Sequence, residues 1–160
     1  MDIIITPGKL CGTLEAPPSK SHAHRLMTAV ALAGKKISES LCTSEDTRAT
    51  FRCLNELHDG GILDCGESGT TLRFLLPVAS ALGINAEFIG HGRLPERPMS
   101  ALTDALRENG AVISADNLPI KVSGQLHPGV FRVPGNISSQ FISGLLFALP
   151  LLDGYSKIVI

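Results

Sequence analysis

Three segments of this 160-residue chain repeat one pattern, and this repeat constrains the fold more than any other feature of the sequence. The segments are APPSKSHAHRL (16–26), DCGESGTTLRF (64–74) and VPGNISSQFIS (133–143), and they superpose without gaps. Each reads as a strand end, a proline or glycine, small hydroxyl residues and then an apolar helix. Arg25 and Arg73 share one offset, seven residues after Pro18 and Gly66. A structural unit that is used more than once explains such a recurrence.

The stretches around these segments predict what the unit contains. Short apolar runs predict strands, and apolar residues three and four positions apart predict helices. The predicted strands are IIIT, LCGTLEA, ISESL, GILDC, AEFIG, AVISA, LPIKVSG, GVFRV and YSKIVI. Five helices are predicted. The first two cover about residues 21–34 and 45–58, and the third begins near 68 and continues through Pro77. The fourth covers about 98–109, and the fifth begins at 138. The second helices match too, because one spacing joins Arg48, Leu57 and Gly61, and again Arg97, Leu106 and Gly110. We predict an α+β fold made of strand-helix-strand-helix-strand-strand (βαβαββ) units.

Three local features refine the helix predictions. The first helix is predicted to have one apolar face formed by Leu26, Ala29, Val30 and Ala33. Thr43 and Asp46 have the spacing of a capping box before the second helix. Pro98 is suited to the first turn of the fourth helix, where its missing N–H is not needed.

Composition excludes several classes of protein. Lys and Arg number 14 against 15 Asp and Glu, and only 4% of residues are aromatic. This balance offers nucleic acid neither a strong basic charge nor stacking platforms, so we expect no nucleic-acid partner. No apolar run reaches the ~18 residues of a membrane span. The four cysteines form no CxxC pair, which predicts reduced thiols in a cytoplasmic protein.

The repeated helix starts indicate the chemistry. The first turn of a helix has N–H groups without backbone partners, and together with the helix dipole they attract anions. Lys20 and Arg25 add charge to the first start, and Arg93 and Arg97 precede the fourth helix. If the units pack about a common axis, these starts converge on a small substrate with several negative groups. The alternative at each single start is an ordinary N-cap, and Arg48 and Arg52 also fit a solvated face or an ion pair with Asp46.

Two other kinds of site are not supported by the sequence. His22 and His24 lie two positions apart, so on a helix they do not share a face and form no metal site. The GHG sequence at Gly90 lacks the third glycine of a dinucleotide fingerprint, and no phosphate-binding GxxxxGK[ST] motif occurs. We expect no metal and no cofactor.

Five motifs together resemble the enolpyruvyl transferases. They are SKSHAHR, SEDTR, DCGESGTTLRF, GRLPERPMSALTDAL and VPGNISSQF, in this order across nearly the whole chain. The SKSxxxR pattern is similar to the branch that acts on shikimate 3-phosphate and differs from the branch that acts on a UDP-amino sugar. The resemblance implies the inside-out α/β barrel domain of that family, truncated after about two units and the start of a third. It also implies transfer of the enolpyruvyl group from phosphoenolpyruvate to the 5-hydroxyl of shikimate 3-phosphate, without metal or cofactor. Glyphosate competes with phosphoenolpyruvate in this family, and the resemblance leaves the sensitivity of this chain open.

The resemblance assigns roles to eight residues. Lys20 would contact both substrates and act in catalysis, and Ser21 and Arg25 would hold the carboxylate side of shikimate 3-phosphate. Ser138 and Ser139 would bind the phosphate of shikimate 3-phosphate, and Gln140 would lie between the two substrates. Phosphoenolpyruvate would contact Gly69, Arg97, Lys20 and Gln140. Two positions depart from the family pattern. Glu67 stands where many members have Asn and must point away or be paired, and Phe74 stands where some members have Pro.

The resemblance also implies a missing part. Members of the family close two similar domains on their substrates, and the acid/base carboxylates lie in the second domain. Residues 1–14 are expected to be strands that pack with that absent second domain, and residues 15–160 an incomplete N-terminal substrate-binding domain, inactive alone. A non-catalytic module that assembles with a complementary chain is the alternative.

Overall fold

A computed structural model describes residues 2–9 and 11–160. The helices are α1 Lys20–Leu32, α2 Glu45–Glu56, α3 Gly69–Ala81, α4 Ser100–Arg107 and α5 Ser139–Ala148. The strands are β1 Gly61–Asp64, β2 Ala86–Ile89, β3 Ala111–Ile113, β4 Ile120–Gly124, β5 Val130–Arg132 and β6 Lys157–Val159. Short 3-10 turns occupy Glu39–Leu41, Leu57–Asp59, Leu94–Glu96 and Leu149–Leu151.

One complete βαβαββ unit forms the centre of the chain. It consists of β1, α3, β2, α4, β3 and β4, and its four strands make a sheet in the order β1-β2-β4-β3. The pair β1–β2 is parallel, while β4 is antiparallel to both of its neighbours. The next strands, β5 and β6, pair in parallel around α5 and repeat the first half of the unit. The predicted α+β class and the repeated unit are thereby confirmed.

Helix α3 lies at the centre of the core. Every residue from 71 to 81 is buried, because α1, α2, α5 and the sheet surround this helix. Helix α5 packs against it most extensively, and Gly144 permits close approach to the Arg73 carbonyl. Pro77 lies within α3 as predicted. Its missing N–H leaves the Arg73 carbonyl without its bond in the helix, and packing on all sides holds the helix together.

Serine side chains cap the three repeated helix starts. Ser19, Ser68 and Ser138 accept hydrogen bonds from the amides of His22, Thr71 and Gln140, respectively. In the gapless superposition these caps fall at successive offsets, so the starts match in kind but each is shifted by one residue. The prediction of similar helix starts therefore holds, with a one-residue correction to the alignment.

The face predicted for α1 is wrong. Leu26, Ala29 and Ala33 are exposed, whereas Ala23, His24, Met27 and Thr28 are buried. The buried polar residues find partners: Thr28 Oγ1 donates to the His24 carbonyl at 2.9 Å and His24 contacts Thr50. Burial on α1 thus follows hydrogen bonding to its neighbours rather than hydrophobicity alone.

Two helix starts also differ from the predictions. The capping box of α2 is formed by Ser44 and Thr47, one residue later than predicted, and the Asp46 carboxylate instead binds Lys20. Helix α4 begins at Ser100 with Met99 as its N-cap residue, so Pro98 lies before the helix and not in its first turn.

The strands predicted over IIIT, LCGTLEA and ISESL do not form. Among the described residues, 2–9 and 11–18 are exposed and outside any strand, and the prediction at position 10 lies outside the described residues. Residues 39–41 form a 3-10 turn. The first unit consequently contributes its two helices and no sheet of its own.

The spacing of the repeats explains why the first unit has no sheet. In the complete unit, 28 positions separate Gly110 from the next capping serine, Ser138, and these positions hold β3, β4 and β5. The equivalent Gly61 lies only seven positions before Ser68, with room for β1 alone. The first unit therefore lacks the hairpin equivalent to β3–β4. Without that hairpin the segment predicted as a strand before α2, ISESL, has no central partner to pair with.

Candidate anion-binding site

The N-terminal ends of α1, α3 and α5 meet on one side of the molecule. Arg25 of α1 extends its Nη2 to Ser143 Oγ of α5 at 3.4 Å, and its guanidinium lies 5.8 Å from the centre of the Phe74 ring on α3. Its Nη1 donates to the Ser21 carbonyl at 3.0 Å. Arg25 of α1 thus contacts both α3 and α5.

Gln140 links the starts of α5 and α3. Its Oε1 accepts a hydrogen bond from Arg73 Nη1 at 2.8 Å, and its Nε2 donates to Thr70 Oγ1 at 2.7 Å. These two bonds fix the orientation of the amide. Ser138 Oγ caps the Gln140 amide at 3.2 Å, while the side chain of the next residue, Ser139, is exposed.

Arg73 is a buried cation without an acidic partner in the described part of the chain. The residue is only 8% exposed. Its Nη2 donates to the Pro98 carbonyl at 3.3 Å, its guanidinium lies 5.3 Å from the Phe141 ring centre, and its Nε has no partner among the described residues. Burial, and next the charge of Arg97, lower the pKa of Arg73. An unneutralised buried charge is costly, so this arrangement favours a bound anion.

Arg97 and Arg73 flank the start of α3. A Cβ placed on Gly69 would lie 2.8 Å from Arg97 Nη1 and 3.5 Å from Arg73 Nη1. A cavity of about 380 Å³ opens beside Arg97 and is lined also by Arg93, Glu96 and Pro98. The glycine therefore lets two guanidinium groups approach the first turn of α3. Guanidinium groups beside a helix start are suited to binding an anion.

Lys20 and Ser21 form the edge of the site at the start of α1. Lys20 Nζ lies 2.9 Å from Asp46 Oδ2 of α2, and the lysine side chain is 56% exposed. Ser21 is exposed. An exposed ion pair of this kind is weak, so a polyanion can compete with Asp46 for the lysine.

The sequence-predicted residues thus fall into two linked groups. Gly69, Arg97 and Gln140 lie around Arg73, and Lys20, Ser21 and Arg25 lie at the start of α1, connected to α5 through Arg25. Ser138 and Ser139, at the start of α5, belong to the second group. Seven of the eight lie in or directly before the first two turns of a helix, and Arg97 lies three residues before the start of α4. Their substrate contacts stay predictions.

Sequence reasoning missed Arg73 and Thr70 as members of this group. The signal for Arg73 was its repeat offset, which is shared with Arg25; its burial and its bond to Gln140 required the fold. Of the two departures from the family pattern, Glu67 is exposed, and its Oε1 lies 3.9 Å from His91 Nδ1, which is beyond hydrogen-bond distance. Phe74 is fully buried and packs on Phe147 at 5.3 Å between ring centres.

Comparison with known proteins identifies relatives for nearly the whole chain. A family model described as EPSP synthase (3-phosphoshikimate 1-carboxyvinyltransferase) matches residues 56–160. The 3-phosphoshikimate 1-carboxyvinyltransferase of Clostridium perfringens is 40% identical and covers 99% of this chain, and that of Clostridioides difficile is 39% identical and covers 98%. The chain spans about 43% of the length of each of these relatives.

The alignment lengths show that the relatives have positions which this chain lacks. The alignment with the Clostridium perfringens relative is 182 residues long, although this chain has 160. The relatives therefore have insertions relative to this chain, in agreement with the short first unit.

A solved structure shows the same fold. EPSP synthase from Acinetobacter baumannii superposes with a TM-score of 0.75 over 92% of this chain and 40% of its own, at 24% identity. The capped helix starts, the arginines beside them and the repeat unit therefore belong to a chain that the family model matches over most of its length. The chain belongs to the EPSP synthase family.

Proposed function

We propose that this chain is the substrate-binding part of a 3-phosphoshikimate 1-carboxyvinyltransferase. The complete enzyme transfers the enolpyruvyl group of phosphoenolpyruvate to the 5-hydroxyl of shikimate 3-phosphate and releases phosphate. Residues 15–160 supply the N-terminal substrate seat, and residues 1–14 pack with a second domain. The four free cysteines support a cytoplasmic location, because reduced thiols are typical of that compartment.

The observation that carries this proposal is the pair of arginines at Gly69. Arg73 is buried without a carboxylate, and Arg97 approaches the same glycine from another segment. Both substrates are polyanions, and guanidinium groups bind phosphate and carboxylate oxygens in bidentate fashion. Charge-assisted hydrogen bonds of this type contribute about 1.5–3 kcal/mol each.

Each substrate is assigned to one group of residues. Phosphoenolpyruvate binds at the start of α3, where Gly69 permits close approach, Arg97 grips its anionic groups and Gln140 separates it from the second substrate. Shikimate 3-phosphate binds between α1 and α5, with its carboxylate side on Ser21 and Arg25 and its phosphate on Ser138 and Ser139. Lys20 leaves Asp46 and lies between the substrates.

The reaction needs charge stabilisation and proton transfer. The hydroxyl adds to the enol carbon, giving a tetrahedral intermediate that expels phosphate. Lys20 stabilises the charge that develops at the reacting centre, and the arginines hold the reactants in place. The groups that transfer protons are expected in the part of the relatives that this chain does not match, so the chain alone should bind and not turn over.

An NMR titration tests the proposal. Shikimate 3-phosphate should give saturable amide shifts at Lys20, Ser21, Arg25 and residues 138–140. These shifts should be lost in Lys20→Ala and Arg25→Ala but kept in Lys35→Ala, which removes a charge beyond the opposite end of α1. Phosphoenolpyruvate should shift Gly69, and glyphosate should compete with it. A folded chain that shows no saturable shift with either substrate would refute the assignment.

Assembly without substrate binding is the second candidate, and exposed apolar side chains favour it. Ile3, Ile4 and Ile5 are 78–93% exposed, and Leu146 on α5 is 62% exposed. Mixing the chain with the remaining part of a relative distinguishes the two candidate functions. Restored phosphate release indicates a catalytic half, whereas stable association without turnover indicates assembly.

A further inference from the structure

A chain of buried hydrogen bonds joins α1, α2 and α3 behind the site. His24 Nδ1 lies 2.7 Å from Thr50 Oγ1, and Thr50 Oγ1 lies 2.6 Å from Thr71 Oγ1. Thr71 Oγ1 donates to Ser68 Oγ at 2.7 Å, and the Thr71 amide donates to the same oxygen at 3.2 Å. The four residues are at most 2% exposed. We call these four hydrogen-bonded residues (His24, Thr50, Thr71 and Ser68) the polar chain.

Counting hydrogens fixes the direction of the polar chain. The Thr71 hydroxyl has one hydrogen, which goes to Ser68. The 2.6 Å contact between Thr50 and Thr71 must therefore use the hydrogen of Thr50. A second acceptor of that hydrogen, the Asp46 carbonyl, is more distant at 3.3 Å. Because the Thr50 hydrogen is used, the 2.7 Å contact with His24 requires a hydrogen on Nδ1.

We infer that His24 is a positioning residue, which donates its Nδ1–H into the polar chain and so fixes the first turn of α3. The last residue of the polar chain is Ser68, which is the N-cap of α3 and the neighbour of Gly69. The first unit has no sheet to hold α1 against α3, so this polar chain supplies a directional link between them. His24 belongs to the SKSHAHR motif, but the proposed substrate seat does not use it.

The functional part of this inference rests on the proposed function. If phosphoenolpyruvate binds at Gly69, its affinity depends on how well the start of α3 is held. The proton position and the order of the first turn are properties of the free protein, so they are measured without substrate.

The first test is the tautomer of His24, measured by long-range ¹H–¹⁵N NMR of the whole chain near neutral pH. A protonated Nδ1 with an unprotonated Nε2 is expected. An unprotonated Nδ1 would overturn the inference, and this measurement needs no variant to fold.

The second test compares Thr50→Val with Thr50→Ser. Valine removes the hydroxyl at similar volume, and exchange of the Thr71 amide, which depends on the Ser68 cap, should accelerate about tenfold. Phosphoenolpyruvate affinity should fall about fivefold. Serine keeps the hydroxyl, and both quantities should stay within about twofold of the parent chain.

Thr103→Val is the matched control, because Thr103 is fully buried on α4 and makes no contact with the polar chain. It should lower stability without changing Thr71 exchange. Equal acceleration in Thr50→Val and Thr103→Val would show a general packing effect and overturn the inference. A parent chain that binds no phosphoenolpyruvate would refute the proposed function alone, since the tautomer and the exchange still decide this inference.

Discussion

Gly69 lies directly beneath the guanidinium of Arg97, so that a Cβ on the glycine would come within 2.8 Å of Arg97 Nη1. The same position is 3.5 Å from Arg73 Nη1. The absence of a side chain at the first residue of α3 therefore sets how closely two arginines and the helix start approach each other. This contact is where the proposed function is most sensitive to a single methyl group.

Gly69→Ala should weaken phosphoenolpyruvate binding without unfolding the protein. The new methyl group meets the flexible end of Arg97, which must shift away from the helix start. Alanine is also a better helix former than glycine, by about 1 kcal/mol in a helix interior, so the melting temperature should not fall. NMR titration should show about a tenfold loss in affinity for phosphoenolpyruvate, the equivalent of one bond to a charged group.

The control for this substitution is Gly8→Ala, where a Cβ meets no atom within 4 Å. Binding of both substrates should be unchanged there. If Gly69→Ala bound phosphoenolpyruvate as tightly as the parent chain, the anion would have to lie elsewhere than between Arg97 and the start of α3.

Arg73→Met should separate stability from binding. Replacing a buried, unneutralised charge with an apolar side chain of similar length is often neutral or stabilising. The pKa of Arg73 is already lowered by its burial and by Arg97, which indicates a charge held at a cost. The free energy of unfolding without ligand should stay within about 1 kcal/mol of the parent or rise. Thermal stabilisation by phosphoenolpyruvate should disappear.

Arg73→Lys is the companion variant. It keeps the charge but loses the forked donors to Gln140 and Pro98, so part of the ligand stabilisation should remain. A large loss of stability in Arg73→Met without ligand, measured by urea unfolding, would mean that the arginine serves the fold more than the site.

Repetition in the sequence predicted the helix starts because a serine cap and an apolar helix are local features. Ser68 and Ser138 cap their helices as expected. Arg25 contacts Ser143 of α5, and Arg97 lies beside Gly69 of α3. Periodicity also predicted all six strands found in residues 2–9 and 11–160, and each of them has a partner within the chain.

The failed predictions have two physical causes, and one is pairing at long range. ISESL has a strand-like sequence, but the hairpin that would pair with it is missing from the first unit, and residues 39–41 form a 3-10 turn. The apolar face predicted for α1 failed for a different reason. His24 and Thr28 find hydrogen-bond partners across and along the helix, and hydrophobic spacing cannot show this.

Gly144→Ala should destabilise the fold strongly. Gly144 lies where α5 crosses α3, and a Cβ there would fall well inside contact distance of the Arg73 carbonyl oxygen and also meet Pro77. The obstacle is backbone in the core, so the helices must move apart. We expect a loss of about 2–3 kcal/mol in the free energy of unfolding. Thermal and urea unfolding measure it, and unchanged stability would contradict the close packing of α3 and α5.

His24 should make the protein less stable at mildly acidic pH. Burial lowers the pKa of His24; the charges of Lys20 and Arg25 act in the same direction, and Asp46 opposes them. The unfolded chain, with a histidine pKa of about 6.5, therefore binds a proton that the folded chain resists. The free energy of unfolding should be highest above that value and fall as pH decreases through the folded-state pKa of His24.

Urea unfolding between about pH 7 and about pH 5 measures this slope. His24→Gln should unfold more easily at neutral pH, because it loses the imidazole of the polar chain, but its stability should decline less as pH falls. His58→Gln is the matched control, since His58 is exposed, and it should retain the slope of the parent chain. A histidine that is buried and neutral in the folded state contributes a pH dependence of stability that disappears when the histidine is removed. If the free energy of unfolding depended on pH equally in His24→Gln and in the parent chain, the acid sensitivity would come from other groups.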